Sequence, residues 1–373
     1  MIAWRKGIGA VAVVATTSMA CTGVTRERTE EEAAIGSTSA PGIAIRVADG
    51  LAALRDGTLD RIHLRAGAPA IDVHVELANA PETFHFEIDN VLPDARCTAI
   101  AGDGTSLFVK AEARGRSLDK TCDVSIPREL GPAVTLDLHV ASDDDGSAEP
   151  FTFGLLADVQ EAVGEVDAIY ARMGEEADLR FVLFSGDLTR GGSREELLEF
   201  ERHEKRLDVP LYATLGNHEL GSDRVHFHDL YGRGNYSFVY RSTRFTLLDS
   251  ASATIDPAIY DRLDAWLGAG RHGVHVVAMH VPPFDPSGFR NGAFASRSEA
   301  AKLLERLAEG RVDLTLYGHV HSYYAFANAG IPAYISGGGG AIPERLDGIG
   351  RHYMKFHVDP IRGVRDATVV RVD

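Results

Sequence analysis

Five apolar runs in this chain each stop at residues able to bind a metal ion. FTFGLLAD closes on Asp158, LRFVLFSGD on Asp187, LYATLGNH on Asn217 and His218, HVVAMH on His280, and VDLTLYGHVH on His319 and His321. A run of strand formers that ends in Asp, Asn or His reads as a buried strand delivering a side chain from its carboxyl end. In open α/β sheets that end is where ligands bind. Imidazoles and carboxylates suit Zn, Fe or Mn, and the absence of Cys from the set argues against a structural zinc. Two divalent ions about 3.5–4 Å apart can polarise a phosphoryl group and generate hydroxide at neutral pH. Ions held that close need a negative ligand between them, so one Asp should be shared. The set implies a two-metal hydrolytic site.

The elements that must carry these residues alternate between strand and helix after Phe151. Val163, Val166, Ile169, Tyr170 and Met173 recur at helical spacing over 161–176. Ser193 and Glu196 form a capping box that opens a helix through Leu207. Asp256-Pro257 opens another, and Ser296 with Glu299 a third that ends near Gly310. Residues 151–373 therefore read as a layered α/β domain. Residues 42–141 differ: IDVHVEL, FHFEI and VTLDLHV alternate apolar with polar, and about seven short strands are expected to form a small all-β sandwich. Between the two, 142–150 reads as an acidic linker, with Asp143, Asp144 and Asp145 either solvated or a calcium cluster. Residues 21–41 mix charge with Ser, Thr and Gly and read as a flexible tether.

The chain has 373 residues, 45% apolar and 25% charged, which fits two globular domains. Its net charge of −16 argues against general nucleic-acid binding, which needs clustered Lys and Arg. Residues 1–20 read as an export signal: Arg5 and Lys6 precede an apolar stretch too short to span a bilayer, and Ser18-Met19-Ala20 precede Cys21. This resembles a bacterial lipoprotein signal with Cys21 as the lipidated residue, although Ser18 stands where Leu is usual, so plain cleavage is the alternative. A periplasmic or cell-surface location follows, with the membrane as a partner through the lipid. Cys97 and Cys122 then form a disulfide or remain as two buried thiols.

The ordered elements GDLTR (186–190), GNHE (216–219), MHVPPF (279–284) and GHVH (318–321) resemble those of the calcineurin-like metallophosphoesterases, which include purple acid phosphatases and cyclic-nucleotide phosphodiesterases. NYSFVY…FTLLDS and ISGGGG are similar too. The resemblance covers about 150–373 and implies a four-layer α/β/β/α sandwich. It implies hydrolysis of a phosphodiester or phosphomonoester by metal-bound hydroxide at two divalent or transition-metal ions (Mn, Zn or Fe). By matching position, Asp158, Asp187 and His321 would hold one ion, and Asp187, Asn217, His280 and His319 the other. His218 would be the general acid or stabilise charge on the phosphoryl group; a helix-capping role is the alternative. Two positions depart from the family. Gln160 replaces the His of Asp-x-His, and offers either a carbonyl ligand or a hydrogen bond behind the ligands. Arg190 replaces the Tyr ligand of the purple enzymes, which argues against a purple iron centre; it would clamp a phosphate oxygen or form a surface ion pair. His226 and His228 would line the pocket or be solvated, and Arg290 and Asn291 would lie in a substrate loop. A binding lipoprotein that keeps the fold without catalysis is the alternative to the enzyme.

Overall fold

The computed structural model describes residues 25–288 and 292–372. The export signal, Cys21, Arg290 and Asn291 lie outside the described residues.

Alternation builds the N-terminal part as expected. In β5 (Ile71–Leu77) and β10 (Val134–Ser142), Val73 faces Leu138 and Val75 faces Leu136 on the buried side. On the wet side His74 pairs with Asp137 at 2.7 Å and His139 with Asp72 at 2.8 Å, cross-strand pairs that favour this register. Ten strands form here rather than seven, in one continuous sheet. Strand β8 (Ser106–Arg114) pairs with β7 (Ala95–Ala101) near its start and with β9 (Arg116–Ser125) beyond, so it passes from one layer to the other. The Cys97–Cys122 disulfide joins β7 to β9.

The α/β part has two sheets. The first holds β11 (Phe151–Leu156), β12 (Leu179–Ser185), β13 (Leu211–Thr214), β20 (His352–Asp359) and β21 (Gly363–Arg371) in the order β13-β12-β11-β20-β21, with β11, β12 and β13 parallel. The second holds β14 (Tyr236–Tyr240), β15 (Thr243–Leu248), β16 (His275–Met279), β17 (Leu314–Tyr317), β18 (Tyr323–Asn328) and β19 (Ile331–Ser336) in the order β14-β15-β16-β17-β19-β18, with β15, β16 and β17 parallel. Phe153 of the first sheet meets Phe245 of the second edge to face at 5.2 Å, within an apolar core between the sheets. Helices α2 (Asp167–Gly174) and α3 (Arg194–Glu204) cover the outside of the first sheet. Helices α5 (Ile259–Gly270) and α6 (Arg297–Glu309) cover the second. The order is α/β/β/α. The Ser193–Glu196 capping box is present, and at the start of α6 Ser296 Oγ accepts the Glu299 N–H.

Two readings of the connecting segments need correction. Residues 25–33 form a helix, α1, rather than a flexible tether. Its buried face is Thr25, Arg28 and Glu32, which are polar. Arg28 Nε donates to Asp249 Oδ2 at 2.5 Å. Glu32 Oε2 accepts from the Gly234 and Asn235 backbones at 3.0 and 2.9 Å. The acidic linker is also pinned: Asp144 pairs with Arg241, and Asp145 O accepts Arg241 N at 2.9 Å. Arg65 carries the sandwich into the α/β part, with its guanidinium 2.6 Å from Glu204 Oε1 and both side chains buried.

Candidate metal centre

Each motif residue leaves the carboxyl end of a parallel strand. Asp158 follows β11 and Asp187 follows β12; Asn217 follows β13, His280 follows β16, and His319 with His321 follows β17. Asp158, Asp187 and His319 take φ of 63°, 59° and 70°, left-handed values that non-glycine residues adopt at a cost. Backbone bonds hold these turns: Asp158 N to Gly186 O at 3.1 Å, and Val159 N to Asp187 O at 2.9 Å. Gly186 has φ 83°, and a Cβ there would stand 2.7 Å from Gly216 N, so only glycine permits this approach.

Two groups of side chains converge. Asp187, His280 and His319 form one, and Asp158, Asp187 and His321 the other, with the potential ligand atoms of each within 4.8 Å of one another. Asp187 belongs to both and is buried between them. The histidines are aimed from behind. His280 Nδ1 donates to Ser185 O at 2.8 Å, and His321 Nδ1 to Ile342 O at 2.8 Å, which leaves each Nε2 facing inward. His280 Nε2 lies 3.0 Å from Asn217 Oδ1 and 3.2 Å from Asp187 Oδ2. A lone pair and two oxygens facing each other so closely call for a shared cation or proton. The donor set therefore fits a pair of divalent ions. Burial disfavours charge on His280, but the Asp187 carboxylate overrides it and raises its pKa to about 9. Burial, then the His280 charge, lowers His319 to about 4.

His218 is partly exposed at the rim. Its Nδ1 donates to Arg190 O at 2.6 Å, its Nε2 lies 3.9 Å from Asp187 Oδ2, and its backbone N–H donates to Asp187 Oδ1 at 2.9 Å. Arg190 is exposed. No ion pair of its guanidinium is found among the described residues, so the surface-pair alternative has no partner there. Gln160 is buried, and its Nε2 lies 2.8 Å from Asp187 Oδ2 and 3.1 Å from His321 Nε2. His226 is partly buried, with Nε2 3.5 Å from Asp223. His228 is buried in a short helix, Phe227–Leu230, and is not a solvated loop residue; burial pushes it down to about 4.

Glu219 was not recognised from the sequence as part of the site. It is fully buried and accepts three backbone N–H groups: Asp187 at 2.9 Å, Gly216 at 2.8 Å and Thr189 at 3.1 Å. Burial and then the Asp187 charge push its carboxyl upward, while the N–H donors favour the anion. Its place three residues after Gly216, the capping-box spacing, was the available signal.

A sequence model of the calcineurin-like phosphoesterases matches residues 137–323, half of the chain. The chain belongs to that family. The match begins within β10 of the sandwich, earlier than the expected resemblance from about 150. A 3′,5′-cyclic-nucleotide phosphodiesterase of Nostoc sp. is 25% identical over 172 residues, 42% of this chain and 62% of that relative, so the chain spans less than two thirds of its length. Among solved structures, the purple acid phosphatase PPD1 of yellow lupin superposes with a TM-score of 0.48 at 14% identity, covering 86% of this chain and 74% of that one. A dimetal phosphatase of Danio rerio gives 0.43 at 15% identity, covering 60% and 99%.

Proposed function

We propose that this family member hydrolyses phosphoric esters, phosphodiesters or phosphomonoesters, at a site holding two divalent metal ions. The observation that carries the reading is the pair of ligand groups sharing the buried Asp187 at the strand ends. Asp158, Asp187 and His321 would hold one ion, and Asp187, Asn217, His280 and His319 the other. The bound ions would supply Lewis acidity toward the phosphoryl oxygens and a nucleophile at neutral pH. The chain's own residues do the rest. Glu219 and the carbonyls of Ser185 and Ile342 fix the ligands before substrate arrives. His218, held through Nδ1 by the Arg190 carbonyl, presents Nε2 at the rim, and in its protonated form it donates that proton to the departing ester oxygen. The exposed Arg190 guanidinium is free to take a non-bridging phosphate oxygen.

The test is hydrolysis of bis(p-nitrophenyl) phosphate by metal-stripped protein reloaded with Mn, Zn or Fe, with Asp187→Ala as control. Metal-dependent turnover that the substitution abolishes is the expected result; no turnover with any metal would favour a binding protein on the same fold. We also propose export and lipid anchoring at Cys21, which acyl groups on the mature N-terminus in mass spectrometry would establish and an unmodified N-terminus would refute.

A further inference from the structure

Gln160 sits in the left-handed region, at φ 49°, with its side chain buried. Such a conformation is strained for a non-glycine residue and persists where its surroundings fix it. Here Gln160 N reaches Asp187 O at 3.3 Å, and the amide Nε2 spans Asp187 Oδ2 and His321 Nε2. Asp187 and His321 are two of the three members of the ligand group completed by Asp158. The amide therefore points one N–H at each of two atoms that a cation would bind. In the second group the amide meets only the shared Asp187 Oδ2, and Asn217 turns its oxygen toward His280 Nε2.

We infer that the two ion positions are unequal and that the Gln160 amide makes them so. The position among Asp187, Asn217, His280 and His319 offers two imidazoles and two oxygens, and it fills first. The position among Asp158, Asp187 and His321 offers one imidazole. An ion entering there displaces two N–H donors and gains, after the amide turns over, only a neutral carbonyl oxygen. That oxygen-rich set favours a hard cation such as Mn²⁺ over Zn²⁺, which prefers nitrogen and sulfur. The inference rests on the proposed ligand assignment, and its test does not depend on turnover.

The experiment titrates metal-stripped full-length protein with Mn²⁺, and separately with Zn²⁺. Free Mn²⁺ is followed by electron paramagnetic resonance and stoichiometry by native mass spectrometry. The wild type should bind Mn²⁺ in two steps with dissociation constants about 10–100-fold apart, the range for changes behind a metal's ligands. It should retain one Zn²⁺ at concentrations where Gln160→His retains two. Gln160→Glu, which is nearly isosteric and anionic, should also bring the two Mn²⁺ steps together and guards against a folding defect in the His variant. Two ions bound in a single step by the wild type would overturn the inference, as would unchanged spacing in both variants. Either result alongside metal-dependent hydrolysis would leave the hydrolase reading intact. A wild-type chain that binds no ion would overturn both.

Discussion

Replacing Glu219 should damage the centre although Glu219 touches no proposed ion. Its carboxylate gathers the N–H groups of Asp187, Thr189 and Gly216, which lie on the two turns that present Asp187 and Asn217. In Glu219→Ala all three buried donors lose their acceptor. At about 1–3 kcal/mol for each unsatisfied group, the loss is roughly 3–9 kcal/mol, comparable with a whole domain's stability of about 5–15 kcal/mol. Glu219→Gln is the informative variant. Turned so that its oxygen serves Asp187 and Gly216, its amide leaves only Thr189 N unpaired, which costs about 1–3 kcal/mol. Urea unfolding of metal-free protein at constant m measures this cost, and Mn²⁺ titration should show affinity weakened about 10–100-fold. A Gln variant within about 0.5 kcal/mol of wild type, below the ordinary effect of losing a hydrogen bond, and with unchanged ion affinity, would refute the idea that Glu219 holds the two turns.

Three further outcomes are expected. His218→Ala should lower kcat about 10²–10⁴-fold, the usual range for a general acid, while native mass spectrometry shows ion stoichiometry unchanged; lost ions would make His218 structural instead. Glu204→Ala should destabilise by about 3–5 kcal/mol in urea, because it strands the buried Arg65 charge; the double variant Arg65→Met, Glu204→Leu should recover most of that. The third concerns pH. Burial raises the Asp89 carboxyl, but the bond from His63 and the charges of His63 and Arg114 more than offset it and bring it from 3.8 to about 2. A depressed carboxylate contributes stability above 3.8 that is lost as pH falls through about 2, roughly 2 kcal/mol here. His63 is raised above 6.5, chiefly by its bond to Asp89, so its contribution is present below 6.5 and lost as pH rises through the higher value. The urea midpoint difference between wild type and Asp89→Asn should therefore peak between pH 3.8 and 6.5; a difference independent of pH would refute the pairing.

The candidate ligands were legible because parallel strands covered on both faces read as unbroken apolar runs, so a polar residue at the run's end stands out. The sandwich was legible from alternation, but strands without it were not counted: Ser37–Ala40 is exposed throughout, and Arg61–Ala66 carries the buried Arg65. Helix 25–33 escaped for a related reason. Its buried stripe at helical spacing is Thr25, Arg28 and Glu32, and a composition rich in charge reads as solvated unless the partners are known. Those partners, Asp249 and Asn235, lie more than two hundred residues away. The atoms that aim the histidines, the carbonyls of Ser185, Arg190 and Ile342, are backbone and have no side-chain signature at all.

These distant partners also let the site be strained and still formed in advance. Asp158, Gln160, Asp187 and His319 all take left-handed backbone, and all four belong to the ligand turns or touch a ligand. Each would relax if its turn were held by one contact alone. Instead Asp158, Gln160 and Asp187 are each fixed from at least two directions. Asp187 is held by Glu219 through its N–H and by His218 and Gln160 through its carboxylate. The Asp158 carboxylate accepts the His319 backbone N–H at 2.9 Å, so one strained turn supports another across the two sheets. The edge is braced further out: Ser250 Oγ accepts the N–H of Val281, next to His280, and Ser250 follows the Asp249 that Arg28 of α1 engages. Helix α1 thus contributes to the position of His280 through two bonded steps, and the segment that composition alone would treat as a tether belongs to the structure that holds the centre.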